Sequence, residues 1–213
     1  MEPHHTTVLL ASSNAGKLRE YRELAPGDSL DLQLLPNFGG LPIFEEAAPT
    51  FAENAAGKAL HYSRFTSSIV LADDSGLVVP ALGGAPGVYS ARYAGPNAAA
   101  ADCVRKLLRE MHELEGEDRR ARFICALAIA RQGRVLAVVS DFVEGRISLD
   151  PRGTGGFGYD PVFILPVLDR TFAELAPEEK NQYSHRGRAS AKVRELFLLR
   201  DFSLPSASPR IQS

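Results

Sequence analysis

One α/β domain, with a central mixed sheet flanked by helices and a cleft built from dispersed loops, is the architecture expected of this sequence. Three features lead to it. Short apolar runs of strand length alternate with segments of helical period along the chain, the pattern of helices packed on a sheet. Repeats of roughly 20 to 50 residues are missing, as are long low-complexity linkers, so neither a solenoid nor a string of domains fits. With 213 residues the chain suits one substantial domain, large enough to bury about 70% of the surface that its unfolded form exposes. The domain is taken as residues 1–201, with 202–213 (FSLPSASPRIQS) as a loose tail of little periodicity.

Thr7 to Ala11 reads as a short buried strand, followed by a polar turn of Ser12, Ser13, Asn14, Ala15 and Gly16 and a helix from near Lys17. Hydroxyls, amides and a helix N-terminus in that order can surround phosphate oxygens, with Lys17 adding positive charge. The first glycine and the Ser/Thr of a Walker A loop are both missing, and an ordinary capped junction reads the same way. Leu30 to Leu35 is a second strand, and Pro36 to Pro42 a loop. Thr50 and Glu53 form a capping box for a helix whose apolar face is Phe51, Ala55, Ala59 and Tyr62. Asn54 and Lys58, four residues apart, share another face of that helix and can reach one cleft together.

Ser68 to Ala72 makes a strand that ends in Asp73-Asp74-Ser75-Gly76, read as a turn, after which Leu77 to Leu82 resumes. If strand geometry persists through the acids, Asp73 and Asp74 project to opposite sides and only one faces a cleft directly. Two acids at a strand end suit a metal ion; a plain hydrophilic turn uses the same residues.

GGAPGVYSARYAG at 83–95 is dense in backbone punctuation, with Tyr89, Arg92 and Tyr93 at its surface. Ala101, Val104, Leu108 and Met111 mark a packing helix between Asn97 and Leu114, and Glu113 to Arg122 is a charged connector. Phe123 to Arg131 and Arg134 to Val143 form a hairpin around Gln132-Gly133. In the glycine-rich stretch from Glu144 to Asp160 a nucleotide can approach closely, with Phe157 against a base and Asp160 as loop anchor or outer metal ligand. Pro161 to Leu165 is a further strand. Lys180, Arg186 and Arg188 can neutralise phosphate and Ser184 and His185 can donate hydrogen bonds; an exposed basic start to the helix around Val193, Leu196 and Phe197 uses the same residues.

Composition excludes several classes. A formal net charge of −2 argues against a non-specific grip on nucleic acid. Cys103 and Cys125 are the only cysteines and lack disulfide or zinc-type spacing. No stretch of about 18 uninterrupted apolar residues suggests a membrane span, and MEPHHTTVLLASSN lacks the pattern of a signal segment. A cytoplasmic protein is expected, with no metal role for His4 and His5.

Taken together and in order, SSNAGK (12–17), FAENAAGKA (51–59), LADDSGL (71–77), GGAPGVYSARYAG (83–95), GGFGYDP (155–161) and EEKNQYSHRGRA (178–189) closely resemble the inosine triphosphate pyrophosphatase family. The resemblance spans residues 8 to about 199 and implies hydrolysis of non-standard purine nucleoside triphosphates, including those of inosine, deoxyinosine and xanthosine. It also implies an elongated molecule with two lobes around the substrate, a homodimer, dependence on Mg²⁺, and release of nucleoside monophosphate plus pyrophosphate.

Carried onto this chain, the resemblance makes Glu46 and Asp74 the metal ligands and Asp74 the candidate general base, with Asp73 or Glu46 taking whichever catalytic role Asp74 leaves vacant. Ser12 to Lys17 would cradle phosphate, and Ser75 would touch substrate. Phe157, Gly158, Tyr159 and Asp160 would border the nucleotide, and Lys180, His185 and Arg186 would complete the contacts. Water would attack the α-phosphorus, and a donor aimed at the C6 carbonyl of inosine or xanthine would reject the amine of adenine. A hydrolase of modified pyrimidine nucleotides and a non-catalytic nucleotide-binding protein are the competing readings.

Overall fold

The computed structural model describes residues 6–24, 30–199 and 202. His4, His5 and all of the expected tail except Phe202 lie outside the described residues. Seven strands, β1 (Thr6–Leu10), β2 (Leu30–Leu34), β3 (Ile69–Val78), β4 (Arg120–Arg131), β5 (Arg134–Ile147), β6 (Phe163–Leu165) and β7 (Arg170–Thr171), form one sheet in the order β2-β1-β3-β4-β5-β6-β7. β2, β1 and β3 run parallel, and every later pairing is antiparallel, so the sheet is mixed as expected.

Helices α1 (Ala15–Leu24), α2 (Phe51–Tyr62), α3 (Ala100–Glu110), α4 (Pro177–Tyr183) and α5 (His185–Leu199) cover the sheet. The α2 start follows from its sequence, because the Thr50 hydroxyl accepts the Glu53 amide at 3.2 Å. Phe51, Ala55, Ala59 and Tyr62 of α2 then bury themselves against Val70, Ala72, Ala126 and Ala128. Tyr21, Ala189 and Val193 of α1 and α5 cover Leu71, Cys125 and Leu127 on the opposite face. A third cluster joins α3 to the far ends of β3 to β6 through Leu77, Leu107, Phe123 and Phe163. Among the described residues no helix is long and apolar enough to cross a membrane.

The strand carrying the acids differs from expectation. β3 continues without a turn, placing Asp73 opposite Leu127, Asp74 opposite Ala126 and Gly76 opposite Ile124 of β4. The β4 ladder overrides the local turn preference of Asp-Asp-Ser-Gly, a tertiary effect that a short window of sequence does not carry. On the other side β1 pairs with β3 only as far as Leu71, where the Ala11 amide donates to the Leu71 carbonyl at 2.9 Å. Beyond that point the chain leaves toward α1, so the edge of β3 opens at the two aspartates. This opening lies at the carboxyl end of β1, from which successive connections run to opposite sides, the usual position of a ligand crevice in such sheets.

The charged connector is also shorter than expected, since Arg120 to Arg122 already belong to β4. Gln132 and Gly133, with φ of 48° and 75°, turn the β4–β5 hairpin as expected. The basic segment at 180–188 is only in part an exposed helix start: Lys180, His185 and Arg186 are buried where α4 meets α5, while Arg188 is exposed.

Gly187 makes that meeting possible, because a Cβ on it would collide with the Asn181 carbonyl of α4. Gly187→Ala gains at most about 1 kcal/mol of helix propensity, whereas overpacking against a backbone atom costs about 1–3 kcal/mol. Urea unfolding is expected to register a net loss, and a stabilised variant would disprove the close packing.

Candidate active site

The cleft at the open edge of β3 has a volume of about 890 Å³. Ser12 to Lys17 form one wall. The Asn14 side chain accepts the Lys17 amide at 3.1 Å and thereby caps α1, while the Ser12 hydroxyl accepts the Asn14 amide at 3.3 Å. Gly16 lets the Phe157 ring lie against the helix start, where a Cβ would stand 2.5 Å from the ring. The outcome is a helix N-terminus beside a lysine, with an aromatic face next to it.

Alternation along β3 separates the two aspartates. Asp73 shares the side of Leu71 and faces α1 and α5, where its carboxylate meets Lys17 Nζ at 2.5 Å, Tyr21 OH at 2.6 Å and Arg186 Nε at 2.8 Å. Burial alone would raise this carboxyl, but the Arg186 and Lys17 charges outweigh burial and hold it well below the usual carboxylate range. Asp74 shares the side of Ala72 and faces α2. Burial first, then the charge of Glu46, push its pKa up to about 6, against the opposing Lys17 charge and Asn54 amide. Its Oδ2 is buried without a hydrogen-bond partner.

Glu46 stands beside the cleft with its Oε1 2.5 Å from Lys58 Nζ, and Lys58 also reaches the Asp73 carbonyl at 3.4 Å. The neighbouring Glu45 is exposed and does not line the cleft. Two carboxylates near enough for one to raise the other, one of them with an unpartnered oxygen, form a donor set that suits Mg²⁺, which takes one or two protein carboxylates and leaves its other positions to water and phosphate. Among the described residues no group of three or more His, Cys, Asp or Glu side chains gathers as a metal cage.

A buried charge network joins α1, β3 and the α4–α5 junction. Lys180 Nζ bonds to Asp160 Oδ2 at 2.6 Å and to Glu20, and Arg186 bonds to Glu20, Asp73 and Ser75, the last at 2.8 Å. Asp160 in turn accepts the Phe157 amide at 2.7 Å and so anchors the glycine-rich loop. Both cations lie close to the Phe157 ring, at 5.3 and 5.6 Å from its centroid. His185 stacks on Phe123 with centroids 4.7 Å apart, and its Nδ1 is buried without a partner. Burial, then the Arg186 and Lys180 charges, keep this imidazole neutral by holding its pKa well below the ordinary value. Tyr159 OH donates to the Ser90 carbonyl at 2.9 Å, tying the loop to the segment beside β3.

Seventeen of the nineteen residues expected at the site therefore border one cleft: Ser12, Ser13, Asn14, Ala15, Gly16, Lys17, Glu46, Lys58, Asp74, Ser75, Phe157, Gly158, Tyr159, Asp160, Lys180, His185 and Arg186. Asn54 and Asp73 do not. Asn54 was expected to share the cleft with Lys58, but it is fully buried and its amide pairs with both the Ala48 amide (2.9 Å) and carbonyl (3.3 Å), where it staples the chain ahead of α2. Asp73 lies beneath the wall as the partner of its cations. Glu20 and Phe123 were missed. Glu20 stands three residues after Lys17 on α1, and that helical spacing was its one signal; Phe123 reads only as a strand residue.

Residues 8–196 match the Ham1 family. A dITP/XTP pyrophosphatase from Geobacillus kaustophilus is 52% identical over 188 residues, covering 88% of this chain and 92% of its own. One from Gloeobacter violaceus is 50% identical over 189 residues, covering 87% and 91%. The solved structure of a HAM1 protein from Coxiella burnetii aligns with a TM-score of 0.82 at 41% identity, covering 92% of this chain and 100% of its own. That of the Staphylococcus aureus Ham1 protein gives 0.79 at 36% identity, covering 91% and 98%. With a match over nearly its whole described length, and with this sheet and this cleft, the chain belongs to the Ham1 family.

Proposed function

We propose that this chain hydrolyses non-standard purine nucleoside triphosphates, those of deoxyinosine, xanthosine and inosine, to the monophosphate and pyrophosphate. The observation that carries the reading is Asp74, a cleft carboxylate with an unpartnered oxygen and a pKa pushed up to about 6, in one cleft with the polar loop at the α1 N-terminus. The names of the relatives above support the same substrate class.

Asp74 takes a proton from water as the water oxygen attacks the α-phosphorus. The bond from that phosphorus to the bridging oxygen breaks, and its electron pair leaves with pyrophosphate. Lys17, Lys58 and the amides at the α1 start face the phosphates and offset the growing charge. Glu46 and Asp74 would hold Mg²⁺, whose contribution is to neutralise phosphate oxygens. Phe157, whose ring lies against Gly16, offers a face for the base, while Lys180, Arg186 and the neutral His185 supply donors near it. A C6 carbonyl accepts from such a donor; an adenine amine would leave two donors opposed.

A panel of inosine, xanthosine, guanosine, adenosine and modified pyrimidine triphosphates, with pyrophosphate and phosphate detected separately, tests the reading. One pyrophosphate per inosine monophosphate is expected, and stepwise release of single phosphates would refute it. Because the base works only when deprotonated, kcat/KM is expected to fall about tenfold per pH unit on the acid side of its pKa. That limb lies at about 6 for the free carboxyl, and raising Mg²⁺ moves it lower, since a cation favours the carboxylate. A rate flat from pH 4 to 8 would remove Asp74 from this role.

A further inference from the structure

The lysines and arginines bordering the cleft are Lys17, Arg19, Lys58, Arg92, Lys180 and Arg186. Four are already neutralised by carboxylates: Lys17 by Asp73, Lys58 by Glu46, Lys180 by Glu20 and Asp160, and Arg186 by Glu20 and Asp73. Among the described residues Arg19 and Arg92 have no carboxylate partner. A triphosphate brings several negative charges, so the unneutralised cations have the largest attraction to offer it.

Of these two, Arg92 is the one held in place. It ends the 3₁₀ turn Gly87–Arg92, which is fastened to β3 because the Ser90 hydroxyl accepts the Leu77 amide at 2.9 Å and donates to the Gly87 carbonyl at 2.6 Å. One Arg92 amino group donates to the Glu46 carbonyl at 2.9 Å, and the guanidinium lies 5.1 Å above the Tyr89 ring. The Arg19 side chain is exposed and makes no hydrogen bond among the described residues. A guanidinium fixed through one nitrogen keeps further donors in a rigid fork that matches phosphate oxygens. Its tie to the Glu46 carbonyl places it beside Glu46, whose carboxylate holds Lys58.

We infer that Arg92 binds the terminal phosphates of the substrate, the pair that departs as pyrophosphate. The assignment rests on the triphosphate reading above and adds to it a contact from the GVYSAR segment. Arg92 then neutralises charge on the leaving group beside Lys58, and it separates triphosphates from monophosphates without touching the base.

Calorimetric binding of pyrophosphate and of inosine monophosphate to wild type, Arg92→Met and Arg92→Lys, all with Mg²⁺ present, tests it. Arg92→Met is expected to weaken pyrophosphate binding by about 10- to 100-fold, as for a lost charged hydrogen bond, and to leave the monophosphate within about twofold. Arg92→Lys retains charge without the fork and is expected to fall between. A role confined to positioning Glu46 predicts that the Arg92→Met effect disappears in a Glu46→Gln background; a direct contact keeps it, and its disappearance overturns the assignment. Unchanged pyrophosphate binding, or equal loss for both ligands, overturns it as well. Product analysis of the wild type is scored separately: if it releases pyrophosphate while Arg92→Met binds normally, Arg92 alone is wrongly assigned.

Discussion

Asp74→Asn is expected to lower kcat/KM for inosine triphosphate by about 10²- to 10⁴-fold, the usual worth of a general base, while the folded protein becomes no less stable. The second half distinguishes a functional carboxylate from a structural one. Asp74 has a raised pKa, so the folded state binds its proton more tightly than the unfolded chain does. Stability contributed by this group is therefore greatest below the unfolded value and declines as pH rises through about 6. At pH 7 the charged form costs the fold on the order of 1–3 kcal/mol, and Asn, of the same shape but uncharged, removes that cost together with the repulsion from Glu46. Circular dichroism melts beside steady-state rates check both halves. Near-normal turnover in a verified variant would end the assignment, and a marked drop in melting temperature would show that the carboxylate holds the fold.

The sheet and the helices were legible because their signals are periodic and local. The capping box at Thr50 and the turn at Gln132-Gly133 each state their geometry within a few residues. The continuation of β3 through Asp73 to Gly76 was not legible, since it depends on β4, about 50 residues downstream. The candidate site was readable as a set of residue types, and the division of labour within it was not. Alternation along a strand tells that Asp73 and Asp74 face opposite ways; it does not tell that one side holds Lys17, Tyr21 and Arg186 while the other holds Glu46. Asn54 shows the same limit. Its helical phase fits a cleft residue, and only the fold reveals that the backbone of Ala48 occupies its amide.

Asp73→Asn should produce the opposite pattern to Asp74→Asn. Asp73 is the shared partner of Lys17 and Arg186, with Tyr21 and the Cys125 thiol also directed at Oδ2. Removing its charge leaves Lys17 without a carboxylate and leaves Arg186 with Glu20 alone, and Arg186 lies too deep to recover much hydration. Breaking a buried pair in this way costs about 3–5 kcal/mol, a large share of a typical domain stability of roughly 5–15 kcal/mol. The pH dependence carries the sign. Because Asp73 is depressed in the folded state, its contribution is fully present above the ordinary carboxylate range and disappears as pH falls through the lowered value. The stability gap between wild type and variant is therefore expected to be widest at neutral pH and to close under strong acid, as read by urea unfolding across that range. Catalysis should suffer mainly through KM, since Lys17 and Arg186 lose their fixed positions while Asp74 keeps its chemistry. If Asp73→Asn and Asp74→Asn lowered kcat equally and left stability equally intact, the two aspartates would share one task, and the separation drawn from the two faces of β3 would fail.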